Sequence, residues 1–155
     1  MSVETLERIL AEHPFFRGLP EAHLDTVVGC VKNVTFDAGA FLFRAGEPAD
    51  QFFVIRHGKV SVEMFVPGRG AMTIDTVGEG ELLGFSWLVP PYRSHFENRA
   101  LSFVRALALD GTCLRGKCEA HPDLGYALLK RVSQTMMERL EAMQVQLLDI
   151  YGQQP

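Results

Sequence analysis

Between Phe36 and Val62 the chain reads FDAGAFLFRAGEPADQFFVIRHGKVSV, and this stretch constrains the fold more than any other. Glycines stand at Gly39, Gly46 and Gly58. Between them Phe41 and Phe43, then Phe53 and Ile55, then Val60 and Val62 alternate with other residues. Successive side chains of a strand point to opposite faces, so this alternation marks half-buried strands. Broken at regular intervals by glycine-containing turns, it predicts short antiparallel strands curling into a sandwich or barrel.

The remaining bounds agree with one domain. A chain of 155 residues is long enough to bury a real core. With 47% hydrophobic and 22% charged residues it has the composition of an ordinary globular protein. No apolar run approaches the roughly 20 residues needed to cross a bilayer, so no membrane association is expected. The first residues, MSVETLERILAEH, carry acids early and lack a basic region followed by an apolar block, unlike a secretory signal. The cysteines, Cys30, Cys113 and Cys118, are odd in number and show no disulfide framework, which favours a reducing cytoplasm. A net charge of -4 argues against direct contact with nucleic acid, because phosphates need a basic face.

Along the chain the order reads α, β, α. Val3, Leu6, Ile9 and Leu10 share one face of a short helix closed by His13-Pro14. Pro20 opens a second helix whose stripe is Leu24, Val27 and Val28. Strands are predicted over 31–36, 40–44, 51–57, 59–66 and 71–77, with Pro67 to Gly70 as a hairpin turn. A late strand covers 101–110, and a short helix 112–119 follows. From Asp123 to Tyr151 the positions Leu128, Val132, Met136, Leu140, Met143, Leu147 and Tyr151 recur every three or four residues, predicting one helix of roughly 40 Å. That length overhangs a small barrel, and an overhanging apolar stripe needs cover. Two readings are open. The helix folds back on its own barrel, or its second half pairs with its twin. Glu138, Arg139 and Glu141 read as solvated charges in both.

These strands, their glycines and the segment from Gly78 to Leu109 resemble the cyclic nucleotide-binding domain family. That family includes catabolite-activator-type bacterial regulators, regulatory subunits of protein kinase A, and gated channels. The resemblance implies an α+β, mainly β fold: a double-stranded β-helix (jelly-roll-like) barrel with N-terminal helices and a long C-terminal helix. One domain, 1–155, would hold N-terminal helices over 1–30, the barrel over 31–110 and C-terminal helices over 112–151. It also implies a non-enzymatic regulatory or sensor role in signalling, and a homodimer through Val132, Met136, Leu140, Met143 and Leu147.

In the family a phosphate-binding cassette, here 78–100, sets a glycine and a glutamate at the start of a short helix. An arginine follows about ten residues later. The arginine neutralises the cyclic phosphate with paired donors, helix-start N–H groups add more, and the glutamate accepts from the ribose 2′-hydroxyl. Here Gly84 takes the glycine position, but Phe85 stands where the glutamate belongs. Arg93 lies one residue before the usual arginine position, Ser94 occupies that position, and His95 replaces a small residue. The candidate ligand residues are Gly84, Phe85, Ser86, Arg93, Ser94 and His95. Losing a hydrogen bond to a charged acceptor costs about 1.5–3 kcal/mol, so weak or no binding of cyclic AMP or cyclic GMP is expected, and no other cofactor.

Phe85, Trp87, Tyr92 and Phe96 either fill the pocket or wall a remodelled one for another small anion or an apolar ligand. A third reading is a degenerate module serving as an interaction subunit for an unknown protein partner. Ser94, His95 and Glu97 are the only candidates for an enzyme, and no nucleophile-elbow or oxyanion motif supports them. The histidines and cysteines match no metal pattern. The chain ends just after the long helix, which suggests a sensor without an output domain.

Overall fold

The computed structural model describes residues 3–152. Helices α1 (Val3–Glu12) and α2 (Glu21–Val28) precede eight strands: β1 (Val31–Phe36), β2 (Phe41–Phe43), β3 (Gln51–His57), β4 (Val60–Val66), β5 (Gly70–Val77), β6 (Leu82–Leu83), β7 (Glu97–Ala100) and β8 (Val104–Asp110). Helices α3 (Gly111–Ala120) and α4 (Pro122–Gly152) close the chain. The strands form two four-stranded antiparallel sheets, in the orders β1-β8-β3-β6 and β2-β7-β4-β5. Helices flanking two facing sheets of this topology make the mainly β, jelly-roll-like architecture expected from the sequence. Val3 and Glu4 have no described side-chain environment, so the place of Val3 on the α1 stripe lies outside the described residues.

The two faces of β3 show how the layers are joined. Phe53 and Ile55 point into the barrel with Val60, Val77, Leu83 and Val104. Phe52 and Val54 point the other way, into a second core shared with Leu10, Phe16, Val27, Leu114, Leu124 and Leu128 of the helices. Both faces are therefore dry, and four consecutive residues of β3 are buried. Phe52 is the hinge of this second core. Its ring stacks on Trp87 at 4.6 Å and meets Phe15 at 6.5 Å.

Several expectations need correction. Strands β6 and β7 have two and four residues and were not read from the sequence, and the late strand starts at Val104, not at 101. Pro20 sits just outside α2 as its N-cap residue. The cysteines do include a bridge: Cys30 and Cys113 form a disulfide across a sequence separation of 83, leaving Cys118 as the free thiol. Partners so distant leave no local spacing to recognise, and the argument from cysteine usage to a reducing compartment falls with it. Asp110 caps α3 by accepting from the N–H of Cys113 at 3.0 Å, which places that cysteine against the end of α2. No helix of the described residues is long and apolar enough to cross a membrane.

Helix α4 has 31 residues, about 46 Å at 1.5 Å per residue. Leu124, Leu128 and Val132 are buried in the helical core. Val132 is only 1% exposed, so it belongs to the protein's own interior and leaves the stripe assigned above to a second copy. Beyond it Met136, Leu140, Met143 and Leu147 are all exposed.

His13 ties α1 to the barrel. Its Nδ1 accepts from the N–H of Phe15 at 3.1 Å, so its Nε2–H donates to the carbonyl of Ile55 at 3.0 Å. Burial lowers its pKa from 6.5, against the Ile55 hydrogen bond, and Arg56 and Arg17 push the same way as burial. A histidine held neutral in the folded state gives its full stabilisation above about pH 6.5. That stabilisation is lost as pH falls below this value towards the depressed folded pKa. Glu63, whose carboxylate accepts from Ser61 and Arg99 and whose pKa is lowered by those contacts, gives stabilisation that is full above about pH 4.5 and is lost only as pH falls below it. We expect Tm to fall between about pH 7 and pH 5, and His13→Gln to flatten that slope in a thermal melt series. An unchanged slope in the variant would remove His13 as its source.

Candidate ligand site

The inner face of the barrel opens at one end into a cavity of about 340 Å³. Phe43, Val62 and Leu83 wall it from the sheets, and Phe85 and Phe96 from the segment between β6 and β7. Met136, Arg139, Leu140 and Met143 of α4 lie across it. Gly84 stands at its edge with φ +101°, a conformation that L side chains rarely adopt, and a Cβ there would come within 3.1 Å of the Phe43 ring.

Five of the six candidate residues line this cavity: Gly84, Phe85, Ser86, Ser94 and His95. Arg93 does not. It pairs with Pro48 in an isolated bridge, and its Nη1 donates to the carbonyl of Gly46 at 2.9 Å. Ser94, at the usual arginine position, faces the cavity, and its neighbour is turned away. Arg99 also faces outward, in a bidentate pair with Glu63 whose shorter contact is 2.7 Å. Ser94 Oγ donates to the carbonyl of Phe96 at 2.7 Å, not to His95, so the residues considered for a catalytic triad are not assembled.

The short helix implied for the cassette is absent here. Residues 84–96 form turns and bends. Pro90 and Pro91 have no N–H to give, Tyr92 has φ 56°, and turns close through Leu88 to Phe85 and Tyr92 to Val89. The segment is held from behind. Trp87, 1% exposed, lies in the helical core, and Arg115 of α3 donates to its carbonyl and stacks on the Tyr92 ring at 4.1 Å. Gly111 permits that approach, since a Cβ there would meet the Trp87 Cβ at 2.8 Å.

Sequence reasoning missed the role of α4 at this site. Arg139 is not a solvated charge. Its guanidinium lies 4.9 Å over the Phe85 ring and donates to the carbonyl of Leu82. Burial lowers its pKa, opposed by the fields of Glu81 and Asp75. Spacing along α4 placed Arg139 off the apolar stripe and gave no sign of the aromatic ring beneath it. A wider hollow of about 560 Å³ shares Asp75, Arg139 and Met143 with this cavity and has Glu81, Arg131 and Glu138 on its walls. Among the described residues no group of three or more His, Cys, Asp or Glu side chains is placed to hold a metal.

Residues 33–121, more than half of the chain, match the family model described as the cyclic nucleotide-binding domain. The chain belongs to the cyclic nucleotide-binding domain family. Among its curated relatives is a CRP-like cAMP-activated global transcriptional regulator of Mycobacterium tuberculosis, 24% identical over 81% of this chain and 56% of the regulator. The chain thus spans about half the length of that relative. A putative cyclic nucleotide-binding protein from Geobacter metallireducens has a TM-score of 0.75 and 26% identity, covering 90% of this chain and 98% of that one. A cyclic nucleotide-binding domain from Methylobacillus flagellatus has a TM-score of 0.78 over 95% of this chain and 83% of its own, and at 20% identity it shows the fold alone. The domain described here therefore has the barrel and the long C-terminal helix of a sensor or regulatory module of this family.

Proposed function

We propose that this domain is a non-enzymatic regulatory module whose pocket no longer selects cyclic AMP or cyclic GMP, and whose long helix reports what the pocket holds. The observation that carries the reading is the pairing of Phe85 with Arg139 over the cavity. Phe85 offers no acceptor to a ribose hydroxyl. Arg93 is engaged by Gly46 outside the cavity, and residues 84–96 present no helix start to a phosphate. The three features that would recognise a cyclic nucleotide are thus altered together. A ligand entering under α4 must displace or brace Arg139, because that side chain bridges the helix to β6 through Leu82. Ligand and helix are coupled through that contact, and the ligand shifts the helix by its differential affinity for the two positions.

Calorimetric titration with cyclic AMP and cyclic GMP tests the reading. We expect no saturable heat up to about millimolar nucleotide, a binding free energy no better than about -4 kcal/mol. Micromolar binding of either would overturn it.

The exposed stripe of Met136, Leu140, Met143 and Leu147 supports a homodimer through the distal half of α4. Sedimentation of the parent beside Leu147→Glu checks this, with the parent expected at dimer mass and the variant at monomer mass. A parent that stays monomeric at tens of micromolar would refute the dimer.

A further inference from the structure

Asn98 is a buried polar residue in the wall of the cavity. It sits on β7 between outward-facing Glu97 and Arg99, so its side chain points into the barrel, where it is 5% exposed and lines the pocket. Its register partners are Phe43 of β2 and Val62 of β4, both of which line the same cavity. Its amide makes one long hydrogen bond, from Nδ2 to the carbonyl of Ser61 at 3.4 Å. Among the described residues nothing donates to its Oδ1. That oxygen opens to the cavity, so a bound molecule with a donor finds an acceptor waiting in an otherwise apolar wall.

The fixed charges on this wall cancel. Arg139 is engaged by Phe85 and Leu82, and Asp75 stands on the same side of the pocket. An anion would gain little net attraction here, whereas Phe43, Phe85 and Phe96 line the cavity with aromatic carbon suited to a flat apolar body. A cavity of about 340 Å³ suits a small molecule and not a peptide helix.

We propose that the pocket binds an uncharged, flat aromatic ligand bearing a hydrogen-bond donor and acceptor, with Asn98 as its polar anchor. This rests on the reading of the domain as a sensor with an altered pocket, and it names the class of molecule sensed. Position 98 thereby determines specificity, since a site built to hydrogen-bond a polar edge rejects the isostere lacking a partner.

The test uses 1-naphthamide as the neutral probe and 1-naphthoate as its anionic counterpart, followed through the methyl signals of Met136 and Met143 in NMR titrations. We expect the amide to shift both methyls saturably and to bind at least about tenfold more tightly than the carboxylate, the difference one hydrogen bond makes. Asn98→Leu should lose about the same factor for the amide. The ligand class is refuted by equal or tighter binding of naphthoate, by absence of methyl shifts with the amide, or by undiminished amide affinity in a folded Asn98→Leu. Should Asn98→Leu fail to fold, the preference of the parent between the two probes decides alone. Micromolar cyclic AMP binding would instead overturn the functional reading, and it is scored separately by competition on the same methyl signals.

Discussion

Replacing Phe85 with Glu and Ser94 with Arg together should turn this domain into a cyclic AMP binder. Both side chains face the cavity, at the positions where the family sets its glutamate and its arginine. A carboxylate at 85 would accept from the ribose hydroxyl and remove the ring that now lies under Arg139. A guanidinium at 94 would reach the phosphate that Arg93, turned to Gly46, cannot. Each charge-assisted hydrogen bond is worth about 1.5–3 kcal/mol. Two of them predict a gain of a hundredfold or more over the parent, read as the appearance of saturable heat in a cyclic AMP titration. Phe85→Glu alone should recover only part of this. A folded double variant with the parent's lack of affinity would show that the turn-rich cassette, and not the two side chains, limits nucleotide binding.

The second large effect concerns stability. Phe52→Ala should destabilise the domain by about 3–5 kcal/mol, the range for a fully buried aromatic truncated to alanine. Phe52 is fully buried and joins three parts of the molecule at once: the barrel through β3, the residues after α1 through Phe15, and the pocket segment through Trp87. For a chain of 155 residues this corresponds to a Tm lower by roughly 10 °C. Phe65→Ala, on an exposed ring of β4, is the control and should move Tm by little. A Phe52→Ala variant that melts with the parent would mean that the helical core does not depend on that stack.

The barrel was legible because glycines punctuate short β-type runs. The alternation read at Phe53 and Ile55 does not mark a half-buried strand, since Phe52 and Val54 are buried as fully on the other face. Strand β7 was not legible. ENRA carries two charges and an asparagine, and its role comes from pairing with β2 and β4 on both sides, which is a tertiary fact. Strand β6 is too short to show any period. At the pocket, the glycine of the cassette and the misfit of Phe85 could be read by position. The outward turn of Arg93 comes from its bridge to Pro48 and its hydrogen bond to Gly46, partners more than forty residues away that sequence spacing does not reveal. Asn98 and Arg139 escaped because one reads as a polar residue in a charged strand and the other as a charge on an exposed helix. Only packing against Phe43, Val62 and Phe85 gives them meaning. The disulfide escaped for a related reason, since its halves become neighbours only once β1 pairs with β8.

That bridge changes the molecule's connectivity. Cys30 precedes β1 and Cys113 follows β8, so every strand lies on a closed covalent ring, and the helical arms leave that ring at one shared point. A nick at the exposed hairpin tip of Pro67, Gly68 and Arg69 opens the ring into a line but frees no fragment. The arms stay tethered to each other while the barrel is cut. Only when the bridge is also reduced do the two halves become separable chains, running as one band without thiol and two with it.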